Sequence, residues 1–194
     1  MTVDEIYSQM AQTFQTETGL ALAGDGDMAV RLYAVAAQIY ALYVQADWVA
    51  RQCFPQTALG DYLDKHAQLR GLERRDAVAA VGVLRFSVPS APDTDLSIPA
   101  GTVCLTAAQV RFETLEAATL KAGNTYVDVR GQGLEPGAAG NAAAGTIRAM
   151  AVAPVGVSQV TNPEAFTGGA DVEDDEALRA RVLETFRRMP NGAN

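Results

Sequence analysis

The chain has 194 residues, is 48% hydrophobic, and carries 15 Lys and Arg against 23 Asp and Glu, which gives a net charge of −8. This length fits one large domain or two small ones, and the apolar content is sufficient for a sizeable core. Because the chain is acidic and has no Lys/Arg-rich run, we expect no nucleic-acid partner. The N-terminus, MTVDEIYSQM, lacks the apolar segment of a signal peptide.

The most apolar stretch covers residues 28–50. Four polar residues interrupt it: Arg31, Gln38, Gln45 and Asp47. These interruptions argue against a membrane span, and no membrane partner is expected. The two cysteines, Cys53 and Cys104, share no CxxC spacing, which predicts ordinary buried thiols in a protein made in a reducing compartment.

Three helical patterns come first in the chain. In residues 3–18 apolar side chains recur every four positions, and Gly19 follows where a helix would end. The second helix is expected from about Met28 to Cys53, with Asp25 or Asp27 as its N-terminal cap. A third helix is predicted from about Thr57 to Gly71, and its apolar face is formed by Leu59, Leu63 and Ala67.

The second helix has an unusually narrow polar side. Its polar residues fall at intervals of seven: Arg31, Gln38, Gln45 and Gln52. A helix with so little polar surface must be covered on more than one side, either by the β-rich part of this chain or by a second chain. For the second alternative, self-association or assembly in a multi-copy ring is predicted through Leu32, Ile39, Tyr43 and Trp48.

From Ala77 the sequence changes to short alternating runs such as VGVLRFSV, VRFETLE, TYVDVRG and GTIRAMAV, separated by Gly- and Pro-containing turns. This pattern predicts an antiparallel β domain of seven or eight short strands, either a small sandwich or a twisted barrel. The glycine-rich residues 131–145 match neither G-x-G-x-x-G nor G-x-x-x-x-G-K-[ST]. We therefore expect a long β–β connection there rather than a nucleotide site.

The segment TGGADVEDDEALRARVLETF places five carboxylates within residues 171–176. The spacing of a calcium-binding loop is absent, whereas a helix from about Asp174 to Met189, ended by Pro190 and Gly192, fits well. The expected turn and helix-cap residues are Gly168, Gly169, Asp171 and Asp174.

Ion pairs are expected from Asp175 and Glu176 to Arg179 and from Glu184 to Arg187 and Arg188. The apolar face completes the predicted partner interface with Leu178, Val182 and Phe186, next to Met189.

No constellation of residues predicts an active site. His66 is the only histidine, so one chain cannot form a multi-histidine metal site. Cys53 and His66 are a conceivable nucleophile and base, but a buried thiol and a packed histidine are the expected roles. We therefore predict no catalytic residue, no metal, no cofactor and no small-molecule substrate, and a protein that acts through interactions.

These patterns predict an α+β protein with three parts. They are an N-terminal helical bundle (residues 1–76), a central antiparallel β domain (residues 77–165) and an acidic-capped C-terminal docking helix (residues 166–194). A terminal helix with charge pairs on one side and apolar anchors on the other suits docking in a groove.

Two motifs, FPQTALGDYLDKHAQLRGLER and TGGADVEDDEALRAR, together with the weaker IPAGT and AGTI, occur in an order that resembles the baseplate J-like family, the wedge proteins of contractile phage tails. The resemblance spans about residues 28–194. The positions that match the first motif include Phe54, Thr57, Gly60, Leu63, Gly71 and Leu72. The positions that match the second are Gly168, Gly169, Asp171, Asp174 and Glu176.

The resemblance implies a structural role in a virion tail baseplate, with the protein made in the host cytoplasm. Family members are copied around the tail axis, link the hub to the periphery and the base of the sheath, and associate with other baseplate proteins through their helical parts. No catalytic activity belongs to the family pattern. Typical members continue past the PNGAN segment, so this chain is expected to be a naturally short member, a truncated gene product or a shortened piece.

Two rival classes are defined by what they would require. A β-domain adhesin or glycan-binding module on a helical oligomerisation stalk needs exposed aromatic side chains on the β part. Its candidates, most of which alternate into predicted core positions, are Phe86, Phe112, Tyr126 and Phe166. A cell-wall hydrolase needs paired catalytic carboxylates in a cleft.

Overall fold

A computed structural model of the chain describes residues 1–24 and 26–187. The chain forms two compact units. The helical unit contains residues 1–73 and the chain from Asp175 onward, and the barrel unit contains residues 74–174. These boundaries differ from those expected at 76/77 and 165/166, because residues 166–170 form β-bridges with the barrel unit. That each unit folds as an independent domain remains a prediction.

The first helix, α1, spans Val3–Thr18, as predicted. Its start is a capping box: the Thr2 hydroxyl accepts the Glu5 N–H at 3.2 Å, and the Glu5 carboxylate accepts the Thr2 N–H at 2.8 Å. Its end is set by Gly19, whose left-handed backbone (φ 72°) lets its N–H reach the carbonyl oxygen of Gln15. Both ends of α1 are therefore encoded in adjacent residues.

The second helix, α2, spans Asp27–Gln52, within one residue of the predicted limits. The predicted cap at Asp27 is wrong, because Gly26 occupies the extended cap position and Asp27 is already the first helical residue. Its carboxylate instead lies 2.8 Å from the Arg31 guanidinium, one turn along the helix. The alternative cap, Asp25, lies outside the described residues.

The third helix, α3, spans Asp61–Gln68 and is shorter than the predicted range of 57–71. It cannot begin earlier because Gly60 adopts φ 50° and ψ −130°, which is not a helical conformation. Leu59 therefore precedes the helix and is 57% exposed, which corrects its predicted place on the apolar face. The other two residues predicted on that face are fully buried: Leu63 and Ala67.

Eight short antiparallel strands build the barrel unit. They are β1 (Val81–Ser87), β2 (Leu96–Ile98), β3 (Val103–Thr106), β4 (Arg111–Thr114), β5 (Ala118–Leu120), β6 (Tyr126–Gly133), β7 (Ile147–Met150) and β8 (Gln159–Thr161). Strands β2 and β5 pair with each other, and the other six form one sheet in the order β7-β3-β4-β6-β1-β8. The two outer strands of that order lie side by side, so the sheet is a nearly closed barrel.

One buried amide spans the remaining gap between β7 and β8. The fully buried Asn162 accepts the Ile147 N–H through Oδ1 at 3.0 Å. Its Nδ2 donates to the carbonyl oxygens of Ala143 and Glu164, at 2.8 and 2.9 Å. The Asn162 amide, which has both donors and an acceptor, thus makes hydrogen bonds at the gap where paired strands would bond through their backbones.

The barrel core is aromatic and aliphatic. Phe112 and Phe166 meet edge-to-face with ring centroids 4.8 Å apart. Gly82 is required beside them, because a Cβ there would lie 2.6 Å from the Phe166 ring. Phe86 is also fully buried, whereas Tyr126 is half exposed. Three of the four aromatic residues considered for glycan binding are therefore core residues.

The glycine-rich residues 131–145 form a connection that follows neighbouring backbone, as predicted, although the first three belong to β6. A short 3-10 turn, Ala138–Gly140, lies within it. The Gly133 N–H donates to the Ala80 carbonyl at 2.8 Å, and the Gly137 N–H donates to the Val78 carbonyl at 3.0 Å. These bonds explain why the segment needs little side-chain volume.

The last described helix, α4, spans Asp175–Arg187, so its start is one residue from the predicted Asp174. Residues 188–194 lie outside the described part of the chain. The predicted helix end therefore also lies outside it, with Met189, Pro190, Gly192 and the expected ion pair of Arg188.

Candidate functional site

Helix α4 packs onto its own chain. Leu178 and Val182 are fully buried in a cluster with Leu63 of α3. They are therefore not available to a partner, which corrects their predicted place in the interface. The amphipathic pattern showed that this face is buried but could not show what covers it. Phe186, the third predicted residue on α4, remains 47% exposed. The centroid of its ring lies 3.6 Å from Cζ of the Arg70 guanidinium.

A buried arginine fixes α4 in place. Arg179 is only 8% exposed. Its Nε donates to the Pro55 carbonyl at 3.1 Å, and its Nη2 donates to the Ala58 carbonyl at 2.7 Å. Its Nη1 donates to Glu176, one of the ion pairs predicted from the sequence. The planar guanidinium thus joins α4 to the loop before α3 in a geometry that lysine cannot reproduce.

Three further hydrogen bonds hold this loop and α3 in place. The Asp175 carboxylate accepts the Gly60 N–H at 2.9 Å. The His66 Nε2 donates to the Gln52 carbonyl at 2.8 Å, which gives this histidine a structural partner. The Gln52 side chain accepts the Leu59 N–H at 3.0 Å and is itself buried, so Gln52 does not belong to the exposed polar stripe of α2.

The two motifs that carry the family resemblance therefore bind each other. Residues 54–67 supply the carbonyls, the Gly60 N–H and the apolar pocket, while residues 175–182 supply Asp175, Arg179 and the side chains that fill the pocket. They are more than 100 residues apart in sequence but form one packed assembly inside the helical unit. Their chemistry is that of a structural clamp.

The rest of the acidic segment is tied to the barrel unit. Asp171 does not cap α4, because the helix starts four residues later and the Asp171 carboxylate instead accepts the Ala138 N–H at 2.8 Å. Asp174 directly precedes α4. Gly168 has a left-handed backbone (φ 85°), and Gly169 exchanges two hydrogen bonds with the Asn141 side chain. Within residues 1–24 and 26–187, no group of three His, Cys, Asp or Glu side chains is arranged to hold a metal ion.

Helix α2 carries most of the large exposed apolar side chains described in the helical unit. It has 26 residues against 16 in α1, and is therefore about 15 Å longer than its neighbour. Ala29 and Ala36 are buried, whereas every residue from 41 to 50 is exposed. No helix in the described part of the chain is long and apolar enough to cross a membrane.

The structure separates the four residues of α2 that were predicted to form an interface. Leu32, Ile39 and Tyr43 line an apolar groove of about 530 Å³ between α1 and α2. Trp48 lies farther along the helix, 45% exposed and edge-to-face with Tyr62 at 5.1 Å. The prediction omitted an exposed row that recurs every seven residues and could have been found by that spacing: Met28, Val35, Leu42 and Val49.

The charges of α2 are neutralised within the helix. Asp27 pairs with Arg31 at 2.8 Å, and Asp47 pairs with Arg51 at 2.9 Å. Each pair joins residues four positions apart, so α2 presents an apolar surface with no excess charge of either sign. Such a surface suits an apolar partner helix better than a charged ligand.

The two cysteines have different environments. Cys104 is fully buried as predicted, and burial raises the pKa of its thiol to about 12. The prediction for Cys53 is wrong: it directly follows α2, is exposed, and its Sγ donates to the Val49 carbonyl. At this end of α2 the contacts with α3 and the preceding loop bury Gln52 but leave the neighbouring Cys53 exposed.

Thiol labelling should separate the two residues. With a chromogenic disulfide reagent at pH 8, the folded chain is expected to release one equivalent of thiolate, from Cys53, because Cys104 is both inaccessible and protonated. Denaturation should release the second equivalent. The variant Cys53→Ser is the matched control and should show no labelling while folded. Two equivalents from the folded protein would contradict the described core.

The outer face of the barrel unit carries an ordered charged pair. Arg85 donates to both carboxylate oxygens of Asp128, each at 2.7 Å, and stacks over Tyr126. The hydrogen bond from Arg85 lowers the pKa of Asp128, and the same bond raises the pKa of Arg85. The pair joins β1 to β6 across the sheet and has the geometry of a cross-strand stabilising contact.

The barrel unit identifies the class of protein that this chain resembles. Residues 83–169 match the family model of the Baseplate J-like protein barrel domain. This match confirms the resemblance to the baseplate J-like family that the motifs predicted.

Two proteins are similar to this chain in sequence. The chain is 34% identical over 151 residues to Mu-like prophage FluMu protein gp47 of Haemophilus influenzae, covering 77% of this chain and 41% of that protein. It is 32% identical over 165 residues to the baseplate protein gp47 of Escherichia phage Mu, covering 84% and 44%. The chain thus spans less than half the length of these relatives.

The fold also resembles that of a solved structure. The anti-feeding prophage baseplate, determined by cryo-electron microscopy, contains a chain that aligns with 95% of this one at a TM-score of 0.53, with 52% of that chain covered. The sequence identity is 11%, so the likeness concerns the fold alone.

Proposed function

We propose that this chain is a structural subunit of the baseplate wedge of a contractile phage tail or a tail-like particle. In this role it assembles with neighbouring baseplate proteins and helps to link the hub to the periphery and the sheath. Support comes from the matched barrel domain and from the relative in phage Mu that is named a baseplate protein. The corresponding location is the tail baseplate of the virion, after synthesis in the host cytoplasm.

The observation that carries the proposal is the uncovered part of α2. Ten consecutive exposed residues, 41–50, include Leu42, Tyr43, Trp48 and Val49. An exposed apolar surface of this kind marks a protein–protein contact, and its neutral charge pattern fits an apolar helix. We assign the contact to multi-copy assembly through α2, by self-association or with a neighbouring tail protein.

An enzymatic role has little support. In the described part of the chain, Arg85, Asp95, Cys104 and Asp128 are among the titratable groups with perturbed pKa values. Three of these belong to the Arg85–Asp128 pair and to a second surface pair, Asp95 with Lys121, and Cys104 lies in the core. The glycan-binding alternative is not favoured, because three of the four aromatic residues that it requires are buried.

Particle isolation tests the proposed function. An epitope-tagged chain, expressed during induction of the phage or particle that encodes it, should sediment with assembled tails and be recovered in the baseplate fraction in constant ratio to other baseplate proteins. A tagged cytoplasmic protein of similar size is the control and should stay at the top of the gradient. Absence of the chain from particles, or clearing of peptidoglycan by the purified chain in a zymogram, would overturn the proposal.

A further inference from the structure

The chain enters and leaves the barrel unit through two adjacent segments. The incoming segment covers residues 74–81 and the outgoing segment covers residues 167–173. They run antiparallel: Val81 exchanges both backbone hydrogen bonds with Thr167, at 2.9 and 3.1 Å. Three residues earlier, Val78 exchanges both with Ala170, at 2.8 and 3.0 Å.

The third pair of this ribbon is built differently. The Glu173 N–H donates to the Arg75 carbonyl at 3.0 Å, as in an ordinary antiparallel pair. The Arg75 N–H, however, donates to the Glu173 carboxylate at 3.1 Å, where a backbone carbonyl would normally accept it. The Glu173 carbonyl accepts from Nη1 of Arg74 at 2.6 Å instead. Two side chains therefore replace part of the backbone pairing.

The position of this pair is as important as its chemistry. It is the last pair of the ribbon before the chain passes, at 73/74 and 174/175, into the helical unit. The preceding pairs are reinforced by the barrel, since the Val78 carbonyl also accepts the Gly137 N–H and the Ala80 carbonyl accepts the Gly133 N–H. Arg75 is exposed, and opening of its pair breaks none of those bonds.

We propose that Arg74, Arg75 and Glu173 form a latch, which sets whether the two connections are paired or separate. With the latch closed, the barrel unit is joined to the rest of the chain by a two-stranded ribbon. With the latch open, two independent single strands make the connection, while the Val78–Ala170 and Val81–Thr167 pairs and the barrel core persist. The inference concerns the chain itself and does not depend on the proposed baseplate function.

The free energy of local opening differs among segments of a protein, from near zero at exposed ends to the global value in the core. We place the latch towards the weak end of this range, because Arg75 is exposed and two of the three hydrogen bonds described above are made by side chains. A charged acceptor makes it stronger than a neutral one would, so the Glu173 carboxylate determines the closed population.

Trypsin reports directly on the latch, because its cleavage sites include the bonds after Arg74 and Arg75. In limited proteolysis of the full chain followed by mass spectrometry, Glu173→Ala is expected to raise the initial cleavage rate at these bonds about tenfold. Glu173→Gln keeps one acceptor oxygen and should give a smaller increase. Cleavage after Arg85 and Arg130, inside β1 and β6, should not change in either variant.

The matched control is Glu164→Ala, which removes an exposed carboxylate of the same unit and should leave every cleavage rate unchanged. Hydrogen exchange provides an independent measurement on the unmodified chain, where the Arg75 amide should exchange at least tenfold faster than the Val78 amide. Equal protection of these two amides would overturn the proposal. So would unchanged cleavage in both Glu173 variants, or an equal rise at Arg85 and Arg130, which would indicate opening of the whole barrel.

Discussion

Replacement of Arg179 by alanine is expected to lower the free energy of unfolding of the helical unit by about 3 kcal/mol. The side chain is 8% exposed and donates to the carbonyl oxygens of Pro55 and Ala58 and to the Glu176 carboxylate. Truncation leaves both carbonyls without this donor and opens a space beside the packed Leu178. Loss of hydrogen bonds and loss of packing therefore act in the same direction.

Urea unfolding followed by tryptophan fluorescence measures this effect, because Trp48 is the only tryptophan of the chain and belongs to the helical unit. Arg187→Ala, which removes an exposed arginine from the same helix, is the matched control and should change stability by less than about 0.5 kcal/mol. Arg179→Lys retains the charge without the fork of donors and should recover only part of the loss. An Arg179→Ala variant as stable as the control would refute the clamp.

The double variant Leu42→Glu with Val49→Glu is expected to weaken self-association by at least about tenfold, the factor given by loss of about 1.4 kcal/mol of interface energy. Leu42 is 65% exposed and Val49 is 48% exposed, so neither belongs to the buried core of the chain. Two carboxylates in their place would have to be desolvated in any helix–helix contact. The folded monomer should therefore remain intact while the assembly is lost.

Sedimentation velocity over a concentration series distinguishes these states, with far-UV circular dichroism to verify that the helices persist. Gln45→Glu places a new carboxylate between the two positions, on the polar stripe, and should have a much smaller effect. A wild-type chain that stays monomeric at high concentration and binds no neighbouring tail protein would contradict the assignment of α2. Equal association of the wild type and the double variant would contradict it as well.

The parts of the fold that depend on adjacent residues could be predicted from the sequence. The capping box at Thr2 and the left-handed Gly19 give α1 its limits, and both are visible as short patterns. The antiparallel β domain follows from alternating runs between turn residues, and its twisted-barrel form was one of the two alternatives. The start of α3 was missed, because the unusual backbone of Gly60 depends on a bond to the distant Asp175.

The candidate site was harder to predict because it depends on which distant segments meet. Apolar spacing correctly indicated that Leu178 and Val182 pack against a surface, and that surface belongs to the same chain. Asp171 stands where a helix cap is expected, but its carboxylate instead accepts a hydrogen bond from the Ala138 N–H of the barrel unit. Periodicity identifies a buried face, whereas only three-dimensional contacts identify its neighbour.

The clamp between the two motifs has a consequence for how the protein is made. On the ribosome, α3 emerges about a hundred residues before α4, since residues 74–174 are translated in between. Until then, the apolar pocket around Leu63 has no covering helix and is open to chaperone binding and to aggregation. The helical unit therefore cannot finish folding until α4 has been translated. Contacts between segments that are distant in sequence impose such a delay on any folding pathway.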